Sequence, residues 1–283
     1  MTQHRTAGFT LIELSIVLVI IGLVVGGILV GQDMIKAAEV RAQVSQIEKY
    51  NSAVNTFRGK FNVIPGDMPA SAASQFGFTV GTYCNGNYAG ARDGNGLIDG
   101  NQSPWLMAQV DGETGLFWTD LTSAVAGNLI EGTFPNSGAP AIDCLTDGPV
   151  LTKTPGTSYI GDYFPVGKIG SGNFVYVYET SGYNWYGVSA VTLNNSGGQL
   201  SSGTTIPVIQ ASNIDKKIDD GLPTTGSVQA VYLNGSLTAT SFAPSAASDT
   251  TASCYNSASN VYSISSLSNY GAGGNCALSF RFQ

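Results

Sequence analysis

The chain opens with a long apolar run that holds a single acidic side chain. From Phe9 to Val30 the residues are Phe, Thr, Leu, Ile, Val, Ser and Gly, and Glu13 is the one ionisable group among them. At a rise of 1.5 Å per residue, a helix of this length spans about 33 Å. A bilayer core is about 30 Å thick. We therefore predict a membrane-spanning helix over residues 9–30.

Beyond Gly31 the pattern becomes amphipathic. Apolar residues recur at spacings of three, four and seven, with charged residues of alternating sign around them. The apolar positions are Val40, Val44, Ile47, Val54 and Phe57. The helix is expected to end near Gly59, and before Pro65, because the residue preceding a proline disfavours helical backbone. The prediction is one helix over residues 9–58, with its first half in lipid and its second half lying on a domain.

The remaining sequence alternates short apolar runs with turns rich in Gly, Ser and Asn. One helix is predicted over residues 113–126, with Leu116, Leu121 and Val125 facing inward. Its aromatic residues Phe117 and Trp118 are assigned to the core in preference to a ligand platform. A short helix with a Gly cap and a Pro stop is predicted within residues 214–223. Strands are predicted over residues 173–179, 187–193, 206–209, 227–233 and 277–282.

These elements predict the fold class. Strands joined by short turns favour an antiparallel sheet. The amphipathic half of the long helix would cover one face of that sheet, because an apolar face must be buried against another element. We therefore expect an α+β fold, in which a long N-terminal helix packs on an antiparallel β-sheet domain. Residues 59–283 are numerous enough to form one globular domain with a hydrophobic core.

The acid in the apolar run needs a countercharge. An acidic residue at mid-bilayer costs roughly 2.5 to 3.5 kcal/mol, whereas an opposite charge at 4 Å returns about 4 kcal/mol before desolvation. No Lys or Arg lies between Phe9 and Met34. The countercharge of Glu13 is therefore expected from another place, such as an α-amine created by cutting the chain between Gly8 and Phe9 in a neighbouring subunit.

Composition argues against several functional classes. The 283 residues include 12 basic and 19 acidic side chains, a formal net charge of −7, which disfavours a nucleic-acid partner held by a basic patch. The one histidine, His4, precedes the apolar run, so the globular part has no histidine base for a Ser or Cys nucleophile. No phosphate-binding loop or dinucleotide fingerprint occurs. We predict that the protein is not an enzyme.

Four cysteines lie in the globular part of the chain: Cys84, Cys144, Cys254 and Cys276. Their even number, the lack of a Cys-x-x-Cys spacing and the lack of a nearby histidine argue against zinc and for disulfides. Disulfides indicate an oxidising compartment. The residues after Val30 are therefore predicted to lie outside the cytoplasmic membrane. The residues alone leave three pairings open.

Residues 93–100 form a turn-rich run that carries three oxygen-bearing side chains, those of Asp93, Asn95 and Asp99. Such side chains bind calcium in loops, which makes the run a candidate calcium site. It is not an EF-hand, because Ile98 stands where position six requires glycine and position twelve is not glutamate. A loop held by Asx turns is the favoured interpretation, and calcium is the alternative.

A second acidic patch closes the predicted short helix of residues 214–223. Asp219 and Asp220 are adjacent and could act as paired carboxylates. Nothing in the sequence places a substrate beside them, so a structural role is favoured.

The amino terminus resembles that of type IV pilins and type II secretion pseudopilins. The resemblance rests on a short polar leader ending in Gly8, then on Phe9-Thr10-Leu11-Ile12-Glu13-Leu14 and the apolar run that follows. It implies that residues 1–8 are a leader, and that prepilin peptidase cuts between Gly8 and Phe9 and methylates the new amine of Phe9. It also implies that Glu13 is the assembly glutamate and that the fold is pilin-like.

The same resemblance bears on the cysteines and the metal. A carboxy-terminal disulfide loop similar to that of pilins would join Cys254 to Cys276, which leaves Cys84 with Cys144. Some pseudopilins that the chain resembles bind calcium. No cofactor is otherwise implied.

The function implied is that of a structural subunit in a type IV pilus-like filament. Its partners would be other copies or related pilin subunits, prepilin peptidase, and an inner-membrane assembly platform driven by a cytoplasmic ATPase. The precursor would be a single-pass inner-membrane protein with its C-terminal domain outside. The mature subunit would then lie in a pilus at the cell surface or in a periplasmic pseudopilus.

Two alternatives stay open. The chain could be a membrane-anchored extracytoplasmic binding or adhesion protein, with aromatics such as Tyr83, Trp105 and Trp185 at its site. It could also be a pseudopilin, because the membrane helix lacks the proline found in many filament-forming pilins. It has Gly22, Gly26, Gly27 and Gly31 instead, which either permit close helix packing or are plain membrane-helix composition.

Overall fold

The computed structural model describes residues 10–78, 92–98, 112–134, 151–152, 160–194, 200–234 and 240–282. The chain divides into two compact units, Met1–Glu39 and Val40–Gln283. The apolar half of the longest helix forms the described part of the first unit. The second unit contains the rest of that helix and the mixed α and β elements that follow it.

Helix α1 (Leu11–Phe61) is 51 residues long and unbroken, as predicted, although it continues past residue 58. It ends at Phe61, and the next residue is Asn62, whose N–H donates to the Arg58 carbonyl at 2.8 Å and whose φ is 58°. A left-handed residue just past the last turn is a common helix stop. Pro65 then prevents the helix from resuming.

The second half of α1 buries the predicted apolar stripe. Val40, Ile47, Val54 and Phe57 are buried, and Val44 is partly buried. The buried stripe also includes Gln43, Tyr50 and Ala53. The ring of Tyr50 lies 4.9 Å from that of Trp118 and 6.0 Å from that of Tyr186, measured between centroids. Aromatic edge contacts therefore join this part of the helix to the core of the second unit.

Three further α-helices occur among the described residues: α2 (Ala70–Phe76), α3 (Gly112–Thr122) and α4 (Val208–Ile218). Leu116 and Leu121 in α3 are fully buried, as predicted, and Phe117 and Trp118 belong to the core. The prediction for Val125 is wrong, because α3 ends at Thr122 and leaves Val125 41% exposed. The helical phase that would have turned Val125 inward is lost where the helix stops.

The main sheet is built around one long strand. Its described strands are β1 (Leu151–Thr152), β2 (Phe174–Thr180), β3 (Tyr183–Asn194), β4 (Leu200–Gly203), β5 (Val228–Gln229) and β11 (Leu278–Arg281), which form one six-stranded antiparallel sheet. Strand β3 is twelve residues long and pairs with β2, β11, β4 and β1. The predicted α+β class with an antiparallel sheet is confirmed.

Smaller sheets complete the second unit. Strand β6 (Val231–Leu233) pairs with β7 (Thr240–Phe242), and β9 (Tyr255–Asn256) lies between β8 (Ser245–Ala246) and β10 (Val261–Tyr262). The β8 and β9 pair is parallel. The strand predicted over residues 227–233 is two strands, interrupted at Ala230, whose N–H donates to the Pro223 carbonyl. The strand predicted over residues 206–209 is wrong, because helix α4 starts at Val208 after Pro207.

Strand β2 contributes two of the largest fully buried side chains of the core, Tyr176 and Tyr178. Tyr176 lies opposite Gly187 on β3, where a Cβ would come within 2.2 Å of the Tyr176 ring. The glycine therefore makes room for the ring. The Tyr176 hydroxyl is 3.0 Å from Ser189 Oγ and accepts from the Leu233 N–H at 3.0 Å. Its hydrogen-bonding capacity is satisfied inside the core, which offsets the cost of burying a hydroxyl.

Candidate functional site

The N-terminus of α1 holds Glu13 in a capping box. Thr10 immediately precedes the helix, and its N–H and its hydroxyl donate to Glu13 Oε2 at 2.8 Å and 2.7 Å. The Glu13 N–H donates in return to Thr10 Oγ1 at 3.3 Å. This reciprocal Thr-x-x-Glu pattern satisfies free N–H groups at a helix start. The spacing of Thr10 and Glu13 is a local signal for this cap, which the interpretation of Glu13 as a charge in need of a partner does not include.

The helix that follows Glu13 is exposed along its apolar length. Large apolar side chains from Leu11 to Ile35 are between 49% and 85% exposed. Within the part of the chain that the structure describes, α1 is the one helix long and apolar enough to cross a membrane. An apolar surface of this extent needs lipid or protein around it.

A family model described as the prokaryotic N-terminal methylation motif matches residues 3–29. The amino terminus thus carries the methylation motif that is typical of type IV pilin and pseudopilin leaders. The predicted resemblance is thus confirmed, and the motif supports a pilin-type or pseudopilin-type protein that prepilin peptidase processes. Together with the exposed apolar helix, it fits a membrane-anchored precursor. Comparison with curated proteins and with solved structures gives no match.

Several predicted site residues lie outside the described residues. These are Gly8 and Phe9 at the cleavage position, Cys84 and Cys144, Asp99 in the candidate calcium run, and the aromatics Tyr83 and Trp105. Gly8 and Phe9 nevertheless fall within the residues that the methylation motif matches. Trp185 is described, and it is only 6% exposed. Its ring therefore belongs to the core.

The structure joins Cys254 and Cys276 by a disulfide, the pairing implied by the pilin resemblance. Both residues are fully buried. The backbone of Cys276 also exchanges hydrogen bonds with Ile206, at 2.9 Å and 3.0 Å. These backbone bonds tie the segment before the last strand, β11, to the residues that lead into α4, and the disulfide ties the same segment to Cys254.

The loop of residues 92–98 is held by Asx turns, the interpretation favoured from its sequence. Asp93 Oδ1 accepts from the Asn95 N–H at 2.9 Å, and Asn95 Oδ1 accepts from the Leu97 N–H at 2.7 Å. The amide group of Asn95 also donates to Asp93 Oδ2 at 3.0 Å. The side-chain oxygen of Asn95 therefore already accepts a hydrogen bond within the turn, and by itself it is no evidence for a bound ion.

The fold brings two further acids to this loop that the sequence pattern did not indicate. Asp67 follows α1 and Glu113 lies in the first turn of α3, and one carboxylate oxygen from each lies within 4.8 Å of one from Asp93. Gly66 permits the approach, because its φ is +87° and a Cβ there would come within 2.5 Å of the Glu113 carbonyl. Asp67 and Glu113 are buried, whereas Asp93 is exposed.

The environment of Asp67 in this cluster opposes its ionisation. Burial raises the pKa of Asp67 to about 6, and the nearby charge of Asp93 adds to that rise. Hydrogen bonds from the backbone N–H groups of the loop oppose it. Beside the cluster, Arg92 and Asp120 form a buried ion pair with a closest N to O distance of 2.7 Å.

The second acidic patch is hydrogen-bonded within the fold. Asp215 Oδ2 accepts from the Tyr262 hydroxyl at 2.8 Å, and its Oδ1 accepts from the Gly221 N–H at 3.1 Å. Asp219 Oδ2 accepts from the Ser227 and Val228 N–H groups. These bonds fix the turn after α4, which agrees with the structural role favoured from the sequence.

Asp215 gives a testable dependence of stability on pH. Burial raises its pKa to about 6, hydrogen bonds from Tyr262 and Gly221 oppose the rise, and the charges of Asp220 and Asp219 add to it. A carboxyl whose pKa is higher in the folded protein binds more protons there, so stability is lost as pH rises from about 4 to about 6. We expect Asp215 to contribute about 1 to 3 kcal/mol to that loss.

The contribution of Asp215 can be isolated by comparing how steeply stability changes with pH in wild type and in Asp215→Asn. Urea unfolding of the full-length protein in detergent, repeated between pH 4 and pH 7, should show a smaller loss of stability with rising pH in Asp215→Asn than in wild type. The comparison of variants removes the contribution of other carboxyls, including Asp67. Equal slopes in the two proteins would show that Asp215 ionises alike in the folded and unfolded states.

Proposed function

We propose that this chain is a structural, non-catalytic subunit of a type IV pilus-like filament. It is inserted as a single-pass inner-membrane precursor with the residues after Val30 outside, cut between Gly8 and Phe9, and methylated on Phe9. It then leaves the membrane for a helical fibre, a pilus or a periplasmic pseudopilus. The movement is driven by an inner-membrane assembly platform with a cytoplasmic ATPase.

The observation that carries the proposal is the leader motif joined to a long exposed apolar helix. The motif covers residues 3–29, and the helix that continues from it exposes large apolar side chains as far as Ile35. The apolar part of α1 can be covered by lipid or by the same helix of other copies. Because lipid tails are as apolar as these side chains, exchanging one cover for the other costs little hydrophobic free energy. Packing and charge pairing are then sufficient to favour the fibre.

Glu13 provides the charge in this proposal. In the isolated chain its carboxylate caps its own helix through Thr10. Cleavage after Gly8 would create an α-amine at Phe9, and an incoming copy would offer that amine to the Glu13 of a copy already in place. A carboxylate oxygen has more than one lone pair, so Glu13 can keep its capping bond to the Thr10 N–H while it accepts from the amine.

The cleavage step is tested by Gly8→Val. We expect this variant to keep residues 1–8 and to form no filaments, because a branched side chain replaces the glycine that the peptidase requires. Intact mass measured on protein from native membranes reports cleavage and methylation together. Electron microscopy of sheared cells and of periplasmic extracts reports filaments.

Gly22→Val is the matched control for that experiment. It adds the same side chain inside the apolar helix, where a Cβ meets no atom within 4 Å, so cleavage should proceed as in wild type. If Gly8→Val gave the mature mass and the wild-type filament yield, the proposed function would be wrong. Loss of cleavage in both variants would mean that processing also depends on the apolar helix, so that the effect of Gly8→Val is not specific to the cleavage position.

A further inference from the structure

We propose that Asp67, Asp93 and Glu113 together bind one calcium ion. The three residues come from the loop after α1, the loop of residues 92–98 and the first turn of α3. One carboxylate oxygen from each lies within 4.8 Å of those from the other two. Two oxygens bound to the same calcium ion at 2.3 to 2.6 Å can lie at most about 5 Å apart. The separation therefore suits ligands of one ion.

The observation that points to a ligand is an oxygen atom of Asp67. The residue is 1% exposed, and its Oδ2 accepts from the Gly96 N–H at 2.9 Å. Its Oδ1 is buried and accepts no hydrogen bond from the described part of the chain. Buried carboxylate oxygens in proteins are hydrogen-bonded, ion-paired or bound to a metal, because an unsatisfied one carries a large desolvation cost. A cation between the three carboxylates would satisfy Oδ1.

The other two carboxylates are already oriented for ligation. The Asp93 N–H donates to Glu113 Oε1 at 3.0 Å, which ties the loop to α3. The N–H and side-chain amide of Asn95 hold the Asp93 carboxylate. An ionised carboxylate has about four lone-pair sites, so these hydrogen bonds leave capacity for a metal. Asp93 is exposed, which gives the ion a route to and from solvent.

The chemistry of the ligands selects calcium. All three are carboxylate oxygens, which bind hard cations. Calcium accepts six to eight oxygens in irregular geometry, whereas magnesium demands a near-ideal octahedron and keeps several of its waters. Because Asp67 and Glu113 are buried, the inner side of the site has little room for a shell of water. Backbone carbonyls and water at the open side near Asp93 would complete the coordination of calcium.

This proposal is independent of filament assembly and is tested on the purified full-length protein in detergent. The protein is first stripped with a chelator, and its melting temperature is then measured with and without millimolar calcium chloride. We expect calcium to raise the melting temperature by about 5 °C, the size expected for near-saturating binding to a domain of this length. Isothermal titration with calcium chloride should give one ion per chain.

Asp67→Asn is the decisive variant. It keeps the shape of the side chain and an oxygen for the Gly96 N–H, but it removes one ligand charge. We expect it to abolish the calcium shift while its melting temperature without calcium equals or exceeds that of wild type, because repulsion with Asp93 is relieved. This second readout separates loss of the site from loss of the fold.

Asp220→Asn is the matched control, because it makes the same change in the other acidic patch. It should keep the full calcium shift. The proposal is overturned if calcium does not shift wild type, if Asp67→Asn shifts as wild type does, or if Asp220→Asn loses the shift as well. An equal shift with magnesium chloride would overturn the assignment to calcium.

Discussion

Replacing Glu13 with Ala is expected to abolish filaments and to leave the precursor in the membrane at its normal level. Opposite charges attract strongly at close range in a medium less polar than water, and desolvation offsets part of that attraction. The yield of filaments should therefore fall by at least about tenfold. Immunoblots of sheared filaments measure the assembled subunit, and immunoblots of membranes measure the precursor.

The structure adds a control that the sequence pattern did not suggest. Because Glu13 also caps α1 through Thr10, Glu13→Ala removes both a charge and a helix cap. Glu13→Gln keeps an oxygen for the Thr10 N–H, and Gln is as suitable as Glu in a capping box. If charge pairing controls assembly, Gln should fail as Ala does.

Thr10→Val supplies the reverse change. It removes the hydroxyl that contacts Glu13 but keeps the Thr10 backbone N–H and the Glu13 charge. Its cost should be that of a weakened cap, about 1 kcal/mol, and filaments should persist. Wild-type filament yield in Glu13→Gln, with filament loss in Thr10→Val, would mean that Glu13 acts as a cap and that the charge-pairing part of the proposal is wrong.

The long helix and the main strands were predictable because their signals are local. A 3.6-residue periodicity predicted the stripe of α1, since spacing alone decides which side chains share a helix face. The same periodicity did not reveal Gln43, whose polar side chain is buried because its Oε1 accepts from the Lys168 N–H at 2.8 Å. The partner lies far along the chain. A polar residue in an apolar stripe can be recognised only when its partner is known.

The error at the start of α4 has a different cause. Residues 206–209 contain β-branched apolar side chains, which favour a strand. Pro207, however, directly precedes the helix, and a proline at a helix start is a stronger signal than the composition of a four-residue run. Ile206 alone keeps a strand-like contact, through its bridge to Cys276.

The two acidic sites show how far local sequence can lead. Glu13 was recognisable because it is a lone acid in an apolar run, and its neighbours along the chain determine its environment. Asp93 and Asn95 were recognisable as a turn for the same reason. Asp67 and Glu113 carry no such signal, because only tertiary packing around Gly66 brings them to Asp93. A cluster that the fold assembles from three separate segments cannot be predicted from the spacing of residues along the chain.

Replacing one member of the buried Arg92 and Asp120 pair is expected to cause a large loss of stability in the globular unit. Arg92 donates two hydrogen bonds to Asp120, at 3.0 Å and 2.7 Å, and both side chains are 1% exposed. In Arg92→Met the Asp120 carboxylate would keep only the Gly66 N–H among its described partners. Removing one member of a buried ion pair typically costs about 3 to 5 kcal/mol. Urea unfolding of the full-length protein in detergent, with chelator present to exclude a metal contribution, measures that loss.

The origin of the loss can be separated from simple loss of packing. Burial raises the pKa of Asp120, and the Arg92 guanidinium opposes that rise, so removing Arg92 should raise the pKa further. A carboxyl with a raised folded-state pKa makes the protein less stable as pH increases, so the stability deficit of Arg92→Met should be larger at pH 8 than at pH 5.

Adding Asp120→Asn to Arg92→Met removes the unpaired buried charge and keeps an oxygen for the Gly66 N–H. The double variant should therefore recover about 2 kcal/mol relative to Arg92→Met. If it is less stable than Arg92→Met, and the deficit does not change with pH, then Arg92 stabilises the unit by filling space, and a stranded charge is not the cause.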